Sequence, residues 1–106
     1  MKWVLPTAFV AALLLAPAAG AYAKEHEVDI KDVKYKPAKI KIKKGDTVVW
    51  KNSDDRDHTV VAKDESFDSG KIAAGESFEH KFEKAGKFAY GCEYHPRMKG
   101  VVEVTE

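Results

Sequence analysis

Apolar and polar residues alternate along several short segments of the chain. Residues 27–31 (EVDIK), 39–43 (KIKIK) and 77–82 (SFEHKF) place every second side chain on one apolar face. This period of two is typical of a β-strand with one face in a core and the other in solvent. Residues 47–51 (TVVWK) are β-rich and nearly all apolar, and they also predict a strand.

Turn and loop residues separate these segments at short intervals. Lys44-Gly45-Asp46 predicts a turn, residues 52–55 (NSDD) predict a loop, and residues 63–76 are polar with two glycines. No stretch shows sustained helical periodicity. Short strands with a turn every 8–12 residues predict an all-β domain, an antiparallel sandwich or barrel. Further strands are expected at 58–62, 87–92 and 100–105.

The first 23 residues differ in character from the rest. They hold one basic residue, Lys2, then an apolar run at 8–16, and they end in the small-x-small sequence Ala21-Tyr22-Ala23. This layout predicts a cleaved signal peptide at 1–23 and export to the periplasm. The alternative is a retained membrane anchor, but a spanning helix needs about 20 apolar residues. The domain itself is then expected at residues 24–106, with no membrane span after cleavage.

The charge balance and the cysteine content of this domain reduce the number of functions to consider. The 18 basic residues include Lys2, so residues 24–106 hold as many basic as acidic residues and give no support to a nucleic-acid partner. A domain this small usually gains stability from a disulfide or a metal. The chain has a single cysteine, which cannot form an intramolecular disulfide. In an oxidising compartment, that cysteine is therefore a candidate metal ligand.

Cys92, His95 and Met98 lie three residues apart in one segment. Pro96 disfavours a helix there, so a tight loop between two strands is expected to gather the three side chains. A thiolate, a thioether and two imidazoles form the ligand set of a blue-copper site. Structural zinc sites use more cysteines and seldom use methionine.

The second histidine ligand has three candidates. His58 begins a predicted strand, at one end of the sandwich, where it can meet the Cys92 loop. His80 lies in the middle of a predicted strand between two phenylalanines, away from the loop end. His26 lies close to the expected cleavage site, where order is poor. His58 is therefore preferred.

The sequence resembles the cupredoxins, and within them the amicyanins. The resemblance rests on residues 28–30 (VDI), 44–50 (KGDTVVW), His58 and the loop 92–100 (CEYHPRMKG). It implies a Greek-key β-sandwich and one copper ion, Cu(I)/Cu(II), held by Nδ1 of two histidines, by the cysteine sulfur and by an axial methionine: His58, His95, Cys92 and Met98. Thr59 stands where amicyanins have asparagine.

These features together predict a one-electron carrier and not an enzyme. His95, beside Tyr94 and Pro96, is expected to be the electron port, and a redox donor and acceptor, such as a c-type cytochrome or a dehydrogenase, are expected to dock transiently on a monomer. The alternative function is a periplasmic copper carrier or resistance protein. A copper oxidase would need additional His-x-His pairs, which the sequence lacks. A Cys/His hydrolase would need a larger scaffold with a substrate cleft.

Overall fold

A computed structural model describes residues 23–106. The expected signal peptide, except for Ala23, lies outside these residues. Within residues 23–106 no helix is long and apolar enough to cross a membrane. This part of the chain forms eight strands: β1 (Glu25–Lys31), β2 (Lys34–Lys36), β3 (Lys39–Lys43), β4 (Thr47–Asn52), β5 (Val61–Ala62), β6 (Ser77–Lys81), β7 (Gly86–Gly91) and β8 (Lys99–Thr105).

The strands form two four-stranded sheets. One sheet has the order β2-β1-β4-β6 and the other has the order β3-β8-β7-β5. Strands adjacent in sequence often lie in different sheets, so the chain repeatedly crosses from one sheet to the other. The expected all-β sandwich is thus confirmed. The expectation that all strands pair antiparallel is wrong: the sheets are mixed, because β1 pairs parallel with β4 and β3 pairs parallel with β8, whereas the other pairs are antiparallel.

The core forms where the apolar faces of the two sheets meet. Alternate residues of β1 and β4 point inward and are fully buried: Val28, Ile30, Val48 and Trp50. The Trp50 ring lies at the centre of an aromatic cluster, 5.3 Å from the Tyr90 ring and 5.8 Å from the rings of Phe67 and Phe78, measured between centroids. This packing fixes the end of β7, from which the Cys92 loop leaves.

The segment expected as a strand at 58–62 is shorter in the structure. Only Val61 and Ala62 form β5, and His58 makes a single bridge with Ile72. The amides of the two intervening residues are used elsewhere: Thr59 N donates to the Cys92 sulfur and Val60 N donates to Ser69 Oγ. Side-chain acceptors therefore replace the strand ladder beside the candidate site.

Candidate metal centre

Three of the four predicted ligands lie in contact at one end of the sandwich. Cys92 Sγ lies 3.9 Å from His58 Nδ1 and 3.7 Å from His95 Nδ1. The ligand atoms of these three residues all lie within 4.8 Å of one another. Met98, the fourth, is buried and lines the same cleft as Cys92. The four residues are thus arranged as a one-copper site.

The loop from Cys92 to Met98 is held in a tight turn. It leaves β7 directly after Gly91 and enters β8 at Lys99, and Met98 N donates to His95 O at 2.9 Å. A Cβ at Gly91 would lie 3.1 Å from Met98 O, a tight contact that the loop would have to relieve by a shift of a few tenths of an ångström. Glycine at the start of the loop therefore allows the close approach of its two ends.

Thr59 connects three parts of the site. Its amide donates to Cys92 Sγ at 3.4 Å, its hydroxyl accepts from Glu93 N at 2.8 Å, and its carbonyl accepts from the Tyr35 hydroxyl at 2.7 Å. Thr59 itself is fully buried. Thr59 thus braces the start of the ligand loop at two residues, through its amide to Cys92 and through its hydroxyl to Glu93.

Asp54 orients the His58 ring. One oxygen of its carboxylate lies 2.9 Å from His58 Nε2, and the two oxygens accept the amides of Asp32 and Val33 at 2.9 Å each. Burial opposes ionisation, but the hydrogen bonds from Val33, His58 and Asp32 outweigh it and lower the Asp54 pKa. When Nε2–H donates to this carboxylate, the lone pair of the neutral ring lies on Nδ1, which faces Cys92.

Sequence reasoning missed Asp54 and Tyr35 as supports of the site. Asp54 belongs to an acidic loop whose neighbours are exposed, and spacing alone does not separate it from them. Tyr35 lies in the short strand β2, 24 residues before Thr59. Only the folded structure brings these groups together.

The other two histidines of the domain lie outside the cluster. His26 bonds through Nε2 to Asp46 at 2.9 Å. The His80 ring packs on β6 against the rings of Phe67 and Phe82, with centroid distances of 4.8 Å to each. His26 lies within β1, so the expectation of poor order at this position is wrong. Both positions still agree with the preference for His58.

The site is buried on one side and open on the other. His58 is fully buried and Cys92 is 8% exposed. His95 is partly exposed, and it lies between Tyr94, which is 48% exposed, and the exposed Pro96. A metal here would be shielded from water by the protein and would reach the surface through the His95 ring.

The donor set fits copper. A thiolate and a thioether are soft ligands that suit Cu(I), and imidazole suits both oxidation states. Burial of the cysteine and of one histidine allows a fixed geometry, because their positions are set by the core and by the Thr59 and Asp54 hydrogen bonds. Little then has to move when the charge of the metal changes.

The sequence is similar to that of a known protein family and of several of its members. The model of the family described as "Cupredoxin-like domain" matches residues 4–104. The chain is 31% identical to amicyanin-alpha of Methylorubrum extorquens over 103 residues (92% of this chain, 87% of that one). It is 34% identical to plastocyanin of Scenedesmus fuscus over 83 residues (66% and 85%).

Solved structures of copper proteins superpose on this fold. A purple cupredoxin from Nitrosopumilus maritimus superposes with a TM-score of 0.72 at 30% identity, over 76% of this chain and 99% of that one. A copper-containing nitrite reductase from Thermus scotoductus superposes with a TM-score of 0.74 at 28% identity, but the match covers 92% of this chain and only 25% of the reductase. The chain therefore belongs to the cupredoxin-like family.

Proposed function

We propose that this protein is an exported one-electron carrier that holds a single copper ion between His58, Cys92, His95 and Met98. The observation that carries the proposal is the convergence of Nδ1 of both histidines on Cys92 Sγ, at 3.9 and 3.7 Å, beside the buried Met98. Bound copper would supply the change between Cu(I) and Cu(II). The protein contributes a rigid ligand cage and one route to the surface. The expected processing is removal of residues 1–23 and release of the domain into the periplasm.

His95 is the proposed electron port. Its ring joins the buried Cys92 sulfur to the surface, and the exposed Tyr94 and Pro96 beside it form a small apolar patch. A patch of this size suits the small, weak interface of a transient redox encounter, with a donor or acceptor such as a cytochrome or a dehydrogenase. Arg97 and Lys99 are exposed next to it, and they would attract an acidic partner surface.

A docking variant tests the port. Tyr94→Asp places a charge in the patch without touching a ligand, so electron self-exchange should slow several-fold while the midpoint potential stays nearly unchanged. The control is Lys41→Ala, which changes net charge by the same amount on the exposed side of β3. Self-exchange is measured by NMR line broadening in mixtures of oxidised and reduced protein. Equal rates in the two variants would refute the port.

A resident copper is proposed in preference to a carrier that passes copper on. The burial of His58, Cys92 and Met98 and the hydrogen bonds that fix them favour slow exchange of the metal. A strong Cu(I) chelator, added to the folded protein, should remove copper at a rate far below the rate of electron self-exchange between protein molecules. Fast transfer to the chelator would favour the copper-carrier function.

An electron carrier is also preferred to an enzyme. Among residues 23–106, His58, Cys92 and His95 are the one group of three or more His, Cys, Asp or Glu side chains close enough to hold a metal. The copper-containing nitrite reductase that resembles this chain has about three-quarters of its length outside the match. Its activity is therefore not transferred to this domain.

A further inference from the structure

The amino end of the processed domain has a second set of nitrogen donors. Cleavage after Ala23, which is part of the proposed function, would make Lys24 the first residue and His26 the third. The new α-amine, the amide nitrogens of Glu25 and His26, and Nδ1 of the His26 ring then follow one another along the chain. Together they can close two five-membered rings and one six-membered ring around a single ion. Such a planar nitrogen set suits Cu(II) and Ni(II).

The structure already gathers the two outer groups of this set. Lys24 N donates to one oxygen of the Asp46 carboxylate at 2.9 Å, and His26 Nε2 lies 2.9 Å from the other. Asp46 is buried, with 4% of its surface exposed, and it also accepts the amide of Lys43. After cleavage, the Lys24 nitrogen becomes an ammonium group, and its bond to Asp46 becomes charge-assisted. The free terminus is thus held beside its own histidine.

Chelation would use the same nitrogen atoms in a different arrangement. Residues 24–26 would have to leave the strand conformation. Both Asp46 contacts, the bond from Thr47 N to Lys24 O and the pairing of Glu25 and His26 with β4 would then be lost. The rest of β1 stays paired, because Glu27 and the residues after it align with β4 from Val49 onward. Terminal residues open more readily than the middle of a sheet, but here opening leaves the buried Asp46 carboxylate with the Lys43 amide alone. The bonds from the four nitrogen atoms to the metal must offset that loss.

We propose that the processed amino terminus, Lys24-Glu25-His26, is a second binding site for Cu(II) or Ni(II), separate from the cysteine site. Binding replaces one ammonium proton and two amide protons by the metal, and no electron is transferred. The seven residues of β1 separate this end of the sandwich from the end where Asp54 and His58 lie, which corresponds to roughly 20 Å at about 3.3 Å per residue. The two sites can therefore be filled and observed independently.

The test uses the exported protein, purified after processing, with copper in the cysteine site. Mass spectrometry first identifies its amino-terminal residue. Ni(II) is then titrated in, and we expect one additional ion per chain, diamagnetic and with a visible band typical of square-planar nickel. The matched control carries one extra glycine before Lys24. That change keeps every side chain of the fold but moves the amine out of register with His26, so nickel uptake should disappear, as it should in His26→Ala.

The outcomes separate the two proposals. A first residue other than Lys24 would overturn this inference and the proposed cleavage, while the copper site would stand. A Lys24 terminus that takes up no nickel, or equal uptake by the glycine-extended protein, would overturn the second site alone. Thermal unfolding adds a further check, because a chelate made by three terminal residues also forms in the unfolded chain and should not raise Tm. A rise in Tm with nickel would instead indicate binding by His26 and Asp46 within the folded strand.

Discussion

Replacement of Tyr35 by phenylalanine tests the support of the copper site most cleanly. The Tyr35 hydroxyl donates to Thr59 O at 2.7 Å, and both residues are buried. Burial, followed by the charges of Cys92 and Tyr90, raises the Tyr35 pKa far above its ordinary value, so the hydroxyl remains a donor. Tyr35→Phe deletes one oxygen and leaves a buried carbonyl without its partner.

The expected loss follows from that unpaired carbonyl. A buried polar group that loses its partner costs about 1–3 kcal/mol. For a domain of this size, each kcal/mol lowers Tm by about 4–8 °C. The free energy of unfolding is measured by urea denaturation of the copper-free protein, so that metal binding does not contribute. In the copper-loaded protein, the visible thiolate band should also shift, since Thr59 N donates to Cys92 Sγ.

Tyr90 provides the matched control. Its hydroxyl is buried and makes no hydrogen bond within the described part of the chain, and neither does Trp50 Nε1. The Tyr90 and Trp50 rings are in edge contact, with centroids 5.3 Å apart. Tyr90→Phe should therefore cost nothing or stabilise slightly. Equal losses in the Tyr35 and Tyr90 variants would refute the reasoning, since they would show that the two hydroxyls contribute alike.

Three further changes have defined outcomes. Asp54→Ala frees Nε2 of His58 and should weaken copper binding by about 10–100-fold in a chelator competition; unchanged affinity would show that Asp54 does not support the copper site. Gly100→Ala places a Cβ 2.3 Å from the buried Tyr90 ring and should lower the urea-unfolding free energy by about 1–3 kcal/mol, whereas wild-type stability would show that the ring can move. Burial lowers the pKa of His80 below 6.5, so between 6.5 and the lowered pKa the unfolded chain binds more protons than the folded one. Stability should therefore fall as pH drops through this window, and the His80 contribution should level off below it; a His80→Gln variant that shows the same fall would assign it to other groups.

Much of the fold was predictable from local patterning. The alternating segment 39–43 coincides with β3, and the segment 77–82 differs from β6 by one residue. The strand β2 was not predicted, because three residues are too few to show a period. Its hairpin turn is also unusual: Asp32 and Val33 both have positive φ, at 55° and 56°, a conformation that a β-branched valine disfavours. The Asp54 carboxylate, which accepts both amides, holds this turn in place.

The parallel pairs were not predictable for a different reason. Alternation shows which face of a strand is buried, but it does not show which strand lies beside it. That β1 runs parallel to β4, and β3 to β8, depends on how the chain crosses between the sheets. Local periodicity does not predict where the chain crosses from one sheet to the other.

The candidate ligands were predictable because three of them lie within seven residues of the sequence and have unusual chemistry. His58 followed from its place at the start of an apolar segment. The residues that orient these ligands were not predictable. Tyr35 in β2 and Asp54 in the acidic loop differ from similar residues only in the contacts that they make in the folded protein. The sequence therefore indicated the metal chemistry, whereas the hydrogen bonds that fix the geometry required the structure.

The visible spectrum of the copper-loaded protein tests the central claim most directly. If the Cys92 thiolate and the two imidazoles hold Cu(II) together, the oxidised protein has an intense thiolate-to-copper absorption band. That band should bleach on one-electron reduction and be absent from Cys92→Ser. A copper-loaded protein without the band, or a band that survives Cys92→Ser, would contradict the account.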